Sequence, residues 1–222
     1  GHLSLTFSFQ RADDQMHDHF GFQLGITGHP SGAETVQGWI HNTFPDEDDP
    51  LGWDTQIPAE PTINFAYTRT WKSKPADIGG LQMELLPELG FDVGSVLIDA
   101  RSAMTLRIGK NLPSDFGPAS LRGHRDHTVR TNEASESNWS LYAYTRLGVD
   151  LIARDMFIDG TAFSSSRSAQ REPLVGTFTF GVVLQYESFY LGLSQSTRTE
   201  RLDLQPDNQA FGSIVFGTSF AW

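Results

Sequence analysis

Two polar side chains one helical turn apart are the first candidates for chemistry. Gln37 and His41 lie four residues apart in the stretch 31–44, which predicts the one helix of the chain. Residues at this spacing share a face of a helix, so an amide and an imidazole can point at one site. An imidazole placed in this way can act as a general base that activates water. A plain solvent-exposed helix face remains the alternative explanation, because the pattern is short.

The same stretch carries the usual marks of a helix start and of a packed face. Ser31 and Glu34 have the spacing of a capping box, in which a hydroxyl and a carboxylate each satisfy an amide of the first turn. Apolar residues recur at three- and four-residue spacing and predict one apolar stripe. The stripe consists of Ala33, Val36, Ile40 and Phe44.

Acidic residues follow the predicted helix directly. Residues 46–49 are four consecutive acids, which repel one another unless a cation or a basic partner lies among them. Hard divalent cations prefer oxygen ligands of this kind, so the run predicts a cation site, with a solvated loop as the alternative. Two histidine pairs, His17 with His19 and His124 with His127, are spaced loosely like metal ligands. We expect both pairs in turns or loops and interpret them as incidental.

The composition excludes several classes of protein. The 222 residues include 16 basic and 27 acidic side chains, a formal net charge of −11, which disfavours binding to nucleic acid. The chain has no cysteine, so a disulfide scaffold and cysteine-based zinc or thiol chemistry are excluded. No run of about 18 apolar residues occurs, which excludes a membrane-spanning helix.

Most of the chain shows the alternation of apolar and polar residues that predicts β-strands. The alternation itself does not distinguish a soluble β-sandwich from a transmembrane β-barrel, in which the apolar face meets lipid and the polar face lines the lumen. The nine predicted strands cover residues 3–10, 20–27, 62–72, 79–93, 96–109, 139–155, 173–186, 188–199 and 211–222.

Three features favour the transmembrane barrel over the sandwich. Many of the predicted strands span about 10–14 residues, as a tilted membrane strand requires, whereas ordinary strands average about 5–6. The final strand is amphipathic and ends in the aromatic residue Trp222. Aromatic residues recur near strand ends, as in an interfacial belt. These residues are Tyr67, Trp71, Trp139, Tyr186 and Tyr190.

The number of strands predicts the organisation of the chain. Bacterial single-chain barrels have even strand numbers, whereas nine strands are visible and Gly1 opens directly into a strand-like pattern. We therefore expect residues 1–222 to form a single all-β antiparallel barrel domain that lacks its N-terminal strands. Short turns at about 73–78 and 186–188 suit the periplasmic side, which places the helix outside the cell.

Several ordered motifs are similar to those of outer-membrane lipid A 3′-O-deacylases of the LpxR type, and the chain resembles this family over nearly its whole length. The motifs begin with Gln37-x-x-x-His41 and Gly52-Trp53-Asp54-x-Gln56. They continue with Glu60-Pro61, Arg69-x-Trp71, Arg107-x-Gly109, Ser114-Asp115-Phe116-Gly117-Pro118, Phe157-Ile158-Asp159-Gly160, Pro173-Leu174-Val175-Gly176 and Arg198-Thr199-x-x-Arg201.

The resemblance implies a twelve-stranded barrel in the bacterial outer membrane. It implies calcium-dependent hydrolysis of the 3′-linked acyl ester of lipid A, with His41 as the base and Gln37 beside it. Glu47 is the best-placed match to an acidic ligand for Ca2+. The family's N-terminal strands complete the site, and they would precede Gly1. The implied partner is lipid A or lipopolysaccharide, and we expect a membrane-embedded monomer.

Two other functions stay open at this point. A non-catalytic outer-membrane pore or interaction barrel is suggested by the Arg- and Asp-bearing face of strand 139–155, which could line a wet lumen. A soluble lipid-binding β-barrel is the other alternative.

Overall fold

Ten antiparallel strands form one sheet in the computed structural model, which describes residues 1–43, 52–118, 137–203, 205 and 207–218. The sheet runs in the order β1-β2-β3-β5-β6-β7-β8-β9-β10, and β4 pairs with β5 alone. No helix of these residues is long and apolar enough to cross a membrane. The elements are β1 (His2–Ala12), β2 (Met16–Thr27), α1 (Ala33–Thr43), β3 (Pro61–Trp71), β4 (Ala76–Ile78), β5 (Leu81–Gly94), β6 (Leu97–Lys110), β7 (Trp139–Asp155), α2 (Met156–Asp159), β8 (Leu174–Tyr186), β9 (Phe189–Arg198) and β10 (Gln209–Thr218).

The nine long strands confirm the strand prediction, with differences at the ends. β2 begins at Met16 rather than at residue 20, so the expectation that His17 and His19 lie in a turn is wrong. The turn before β2 is tight, since Asp13 accepts hydrogen bonds from the amides of Gln15 and Met16 at 2.9 and 2.8 Å. Residues 219–222, including the terminal aromatic, lie outside the described residues, as do His124 and His127.

The two faces of the sheet are arranged as in a membrane barrel. On β1, Leu3, Leu5, Phe7 and Phe9 are each 57–67% exposed on the outer face. The inner face is polar and buried instead: Arg101 donates hydrogen bonds to Asp92 and Asp99. A soluble sandwich would show the reverse arrangement, which removes the soluble alternative. Charged side chains lie inside because lipid offers them no hydrogen-bond partners.

The strand ends define two ends of the sheet. The helix end is the end at which β2, β5, β7 and β9 finish, and it carries α1 and α2. The turn end is the end at which β1, β3, β6 and β8 finish. Trp71, Trp139 and Tyr186 face outward at the turn end and confirm part of the expected aromatic belt. Tyr190 does not belong to this belt: it is 5% exposed and packs in the interior against Tyr142, Tyr144 and Val183.

The segment 111–118 enters the lumen from the turn end and packs inside it. Arg107 of β6 donates to the carbonyl oxygen of Pro113 at 2.7 Å and to Oδ1 of Asp115 at 2.5 Å. Its Nε also donates to Glu84 at 2.7 Å. The guanidinium is fully buried and lies 5.4 Å from the ring centroid of Tyr142.

Two further contacts fix the same segment to neighbouring strands. Lys72 donates to the carbonyl oxygen of Ser114 at 2.6 Å, and its ammonium lies 4.5 Å from the ring centroid of Phe116. Phe116 also packs against His17, with ring centroids 5.4 Å apart. We call residues 111–118, with Arg107, Glu84 and Lys72, the lumenal plug. It gives a structural role to part of the long polar connection 112–138.

Candidate functional site

α1 begins at Ala33, one residue later than the capping pattern predicts. The expected box between Ser31 and Glu34 does not form, because Gly32 adopts a left-handed conformation (φ 69°) that ends a short 3-10 turn over His29–Ser31. Ser31 donates to the carbonyl oxygen of Gly28 at 2.7 Å. The Glu34 carboxylate lies 3.4 Å from Nδ1 of His29. The helix start is therefore fixed by a glycine turn rather than by reciprocal side-chain caps.

The helix presents Gln37 and His41 on one face, as their spacing predicts. The amide Nε2 of Gln37 lies 3.5 Å from Nε2 of His41, at the outer limit of a hydrogen bond. Both side chains are partly exposed, and Nδ1 of His41 is buried. The apolar stripe is present but does not pack: Val36 is 57% and Ile40 is 43% exposed. Trp39, which the stripe did not include, is 68% exposed.

A short polar chain ties the segment after residue 51 to the start of α1. Nε2 of Gln56 lies 3.1 Å from Nδ1 of His29, which in turn lies beside Glu34. The backbone packs closely at Gly28 (φ 72°), where a Cβ atom would lie 2.8 Å from the amide nitrogen of Ala59. These contacts give Gln56, a residue of the motif Gly52-Trp53-Asp54-x-Gln56, a positioning role at the helix end.

Glu60 joins three segments at the helix end. Its carboxylate accepts hydrogen bonds from the amides of Ala162 and Phe163 at 2.6 and 3.0 Å and from the Ser164 hydroxyl at 3.3 Å. Its own amide donates to Oγ1 of Thr27 at 3.1 Å. Burial alone would raise the pKa of the Glu60 carboxyl, but these donors outweigh burial and hold the pKa below its usual value. We call Glu60 with residues 161–164 the Glu60 clamp.

Two ion pairs fix residues that follow β7 and β9 at the helix end. Asp155 caps α2 by accepting from the amide of Phe157 at 3.0 Å, and it also pairs with Arg201. Asp159 accepts from Nε of Arg171 at 2.9 Å. Asp159 and Arg201 belong to two of the motifs found in the sequence, and the structure brings both to the same end as α1.

Two cavities lie inside or beside the sheet, and Gln37 and His41 line neither. The larger, of about 770 Å³, is the lumen between the strands, and Phe116, Gly117 and Pro118 of the lumenal plug contribute to its wall. The smaller, of about 460 Å³, is a cleft between residues 54–58 and 165–167 at the helix end.

The described residues do not form a cation site by themselves. No group of three acidic or histidine side chains within them is placed to hold a metal ion. Glu47 and the rest of the acidic run 46–49 lie outside the described residues. The predicted calcium ligand therefore stays a prediction.

Comparison with known proteins identifies a family and a fold. The sequence matches the family model of "Outer membrane protein LpxR" over residues 1–220. The structure is similar to that of LpxR from Salmonella typhimurium, with a TM-score of 0.76 over 99% of this chain and 72% of that chain. The two sequences are 18% identical, so this likeness concerns the fold alone. Among curated proteins, none matches the sequence significantly.

Proposed function

Because the chain belongs to the LpxR family of outer-membrane proteins, we propose that it is a hydrolase that removes the 3′-linked acyl group of lipid A. The protein is located in the bacterial outer membrane, whose outer leaflet contains this lipid. The observation that carries the proposal is the pair of Gln37 and His41, which share one accessible face of α1 at the helix end.

The proposed reaction needs a base beside an ester at the membrane surface. The imidazole of His41 takes a proton from water as the water oxygen bonds to the ester carbonyl carbon. The bond between that carbon and the sugar oxygen then breaks, and the sugar oxygen receives the proton from the imidazolium. The products are a free fatty acid and the 3′-hydroxyl of lipid A. Gln37 restrains the imidazole on the helix face.

Calcium is a second part of the proposal. Bound calcium would supply positive charge for the developing oxyanion, and Glu47 is the proposed ligand from the acidic run. Replacement of Glu47 by Gln should raise the calcium concentration required for activity. The matched change Asp49→Asn, in the same run, should leave that requirement nearly unchanged. Equal effects of both changes would contradict the assignment of Glu47.

Mass spectrometry of lipid A tests the whole proposal. The full-length protein in detergent is incubated with lipid A, with calcium or with a chelator. We expect loss of the 3′ acyl mass with calcium and no loss with chelator. His41→Ala should lower the rate by about 10²–10⁴-fold, the contribution typical of a general base.

A matched variant separates loss of chemistry from loss of folding. His29→Ala removes another histidine at the helix end, but one whose contacts are on the exposed surface, and it should keep most of the activity. Unchanged products from His41→Ala would contradict the role of His41. If the folded wild type leaves lipid A intact, the alternative of a non-catalytic pore or interaction barrel gains support, since the lumen holds a polar cavity.

A further inference from the structure

The outer face of β1–β3 carries an ordered series of side chains toward the turn end. Nearest the middle of the sheet is an aromatic row, in which neighbouring rings of Phe9, Phe20, Tyr67 and Phe91 have centroids 5.0–6.2 Å apart. Tyrosine and tryptophan mark the membrane interface, and Tyr67 and Trp71 lie on either side of Arg69 on the outer face of β3. The row of side chains that contains Arg69 therefore lies within the interface.

A charged row lies directly beyond the aromatic row. Arg11, Asp18 and Arg69 are cross-strand partners on β1, β2 and β3, two residues closer to the turn end. Asp18 accepts from Nε and Nη2 of Arg69 at 2.7 and 2.9 Å and from the hydroxyl of Tyr67 at 2.7 Å. These bonds leave Nη1 of Arg69 for a further acceptor. Arg11 is exposed, and its charge acts on Asp13 and Asp18 without a salt bridge to either.

A carboxylate lies one step further out, in the turn between β1 and β2. Oδ1 of Asp13 accepts from the amides of Gln15 and Met16, which leaves Oδ2 for an external donor. Asp14 adds a second acid to the same turn. Asp13 follows Arg11 by two residues, a separation of about 7 Å in extended backbone, so the carboxylates of the turn are attached farther toward the turn end than the guanidinium groups of the charged row.

We propose that this surface binds a phospholipid of the leaflet at the turn end whose head group has a phosphate and, farther out, a primary ammonium, as phosphatidylethanolamine has. The phosphate accepts from Arg11 and from Nη1 of Arg69, and the ammonium donates to Asp13. The order of charges along the surface matches the order of charges in that head group. The two arginines and the three acids Asp13, Asp14 and Asp18 give this surface a net charge of −1, which suits a zwitterionic lipid better than an anionic one.

This site is separate from the proposed hydrolysis, because it lies at the opposite end of the strands from α1. Its ligand is a lipid that the protein keeps rather than a lipid that it cleaves. Inner-leaflet lipids held in this way would fix the depth of β1–β3 in the membrane.

Native mass spectrometry of the full-length protein tests the proposal. The protein is titrated in detergent with phosphatidylethanolamine, phosphatidylcholine or phosphatidylglycerol of identical acyl chains. We expect the strongest binding for phosphatidylethanolamine. Arg11→Gln should weaken its binding about fivefold, the effect of one arginine beside lipid phosphate, whereas Lys110→Gln should not. Lys110 is a suitable control because it is exposed at the same end of β6, paired across strands with Leu141.

A second variant tests the ammonium contact and leaves the turn intact. Asp13→Asn keeps an oxygen that can accept from Gln15 and Met16 but removes the charge. It should abolish the preference for phosphatidylethanolamine over phosphatidylcholine. Equal binding of the three lipids to the wild type, or equal effects of Arg11→Gln and Lys110→Gln, would overturn the proposal. Neither result bears on deacylation, which is measured separately.

Discussion

The lumenal plug and helix α1 are held in opposite ways. At the turn end, Arg107 is fully buried and bonded to Glu84 and to Asp115 of the lumenal plug. At the helix end, α1 has no buried residue, and its start is tied by an exposed contact between His29 and Glu34. Buried charges hold the plug in one arrangement, whereas α1 is held by contacts at the surface. The plug should therefore tolerate substitution less well than the helix.

Recordings of ion conductance test whether the lumenal plug closes the lumen. Because Phe116, Gly117 and Pro118 are part of the cavity wall, we expect no conductance steps from the full-length protein in planar bilayers. Replacement of residues 112–118 by a Gly-Ser segment of equal length should open a path and produce steps. Steps from the wild type would contradict a sealed lumen and would favour the pore alternative.

Removal of the central cation should give the largest change in stability. Arg107→Met leaves two carboxylates buried without their partner and should lower the free energy of unfolding by about 3–5 kcal/mol. Urea unfolding in lipid vesicles measures this change. Arg167→Met, at an exposed arginine of the helix-end cleft, is the control and should have little effect. Adding Glu84→Gln and Asp115→Asn to Arg107→Met should recover part of the loss.

Substitution in the Glu60 clamp should change stability less than substitution of Arg107. It affects the docking of one short segment rather than a network of buried charges. Glu60→Gln removes the charge from three hydrogen bonds and should destabilise the docking of residues 161–164 by about 1–3 kcal/mol. Limited proteolysis near the exposed Phe163 measures the docking. Glu187→Gln, in the turn between β8 and β9, should not change the cleavage rate.

The same clamp predicts a pH dependence. The pKa of Glu60 is lower in the folded protein than in an unfolded chain, so its contribution is complete above the unfolded value and is lost as the pH falls through the lowered one. Residues 161–164 should therefore stay protected while an ordinary glutamate, with a pKa of about 4.3, becomes protonated. Pepsin cleavage beside Phe163, measured at several pH values, shows the pH at which residues 161–164 lose their protection. Cleavage that begins above pH 5 would contradict it.

The smallest effect is expected at the start of α1. His29 and Glu34 are 67% and 52% exposed, so solvent screens their interaction. Glu34→Gln should change the free energy of unfolding by less than about 0.5 kcal/mol and should leave deacylation nearly unchanged. A large loss of activity would show that this contact positions the helix. The contrast between the lumenal plug and α1 would then be smaller than the structure indicates.

The sequence predicts the strands well because a period of two residues is a local property. It misplaces the start of β2, where the polar Asp18 faces outward among apolar residues. Asp18 is acceptable there because of Arg69, 51 residues away, and no local pattern reveals such a partner. The pair of Gln37 and His41 could be predicted for the same reason, because their spacing on one helix is also a local property.

The parts of the candidate site that the sequence missed depend on distant contacts. Glu60 and Ala162 are 102 residues apart, and an acid before a proline-led strand is a weak signal by itself. The capping pattern predicted the wrong helix start because it depends on Ser31 and Glu34 alone and takes no account of the left-handed conformation of Gly32. Spacing along the chain predicts which side chains lie together on one element. The contacts of the Glu60 clamp and the lumenal plug, by contrast, form only after the sheet has formed.

The alternation of outer apolar and inner polar residues also affects how such a chain reaches its membrane. An outer-membrane protein must first be exported through the inner membrane, where a continuous apolar stretch of about 20 residues would be retained as a helix. Here polar residues interrupt the apolar ones at nearly every second position, and the mean hydropathy of the chain is −0.32. The apolar surface exists only once strands lie side by side. The two-residue period therefore allows the chain to cross the inner membrane without being retained there. The apolar surface needed for insertion into the outer membrane forms only later, when the strands pair.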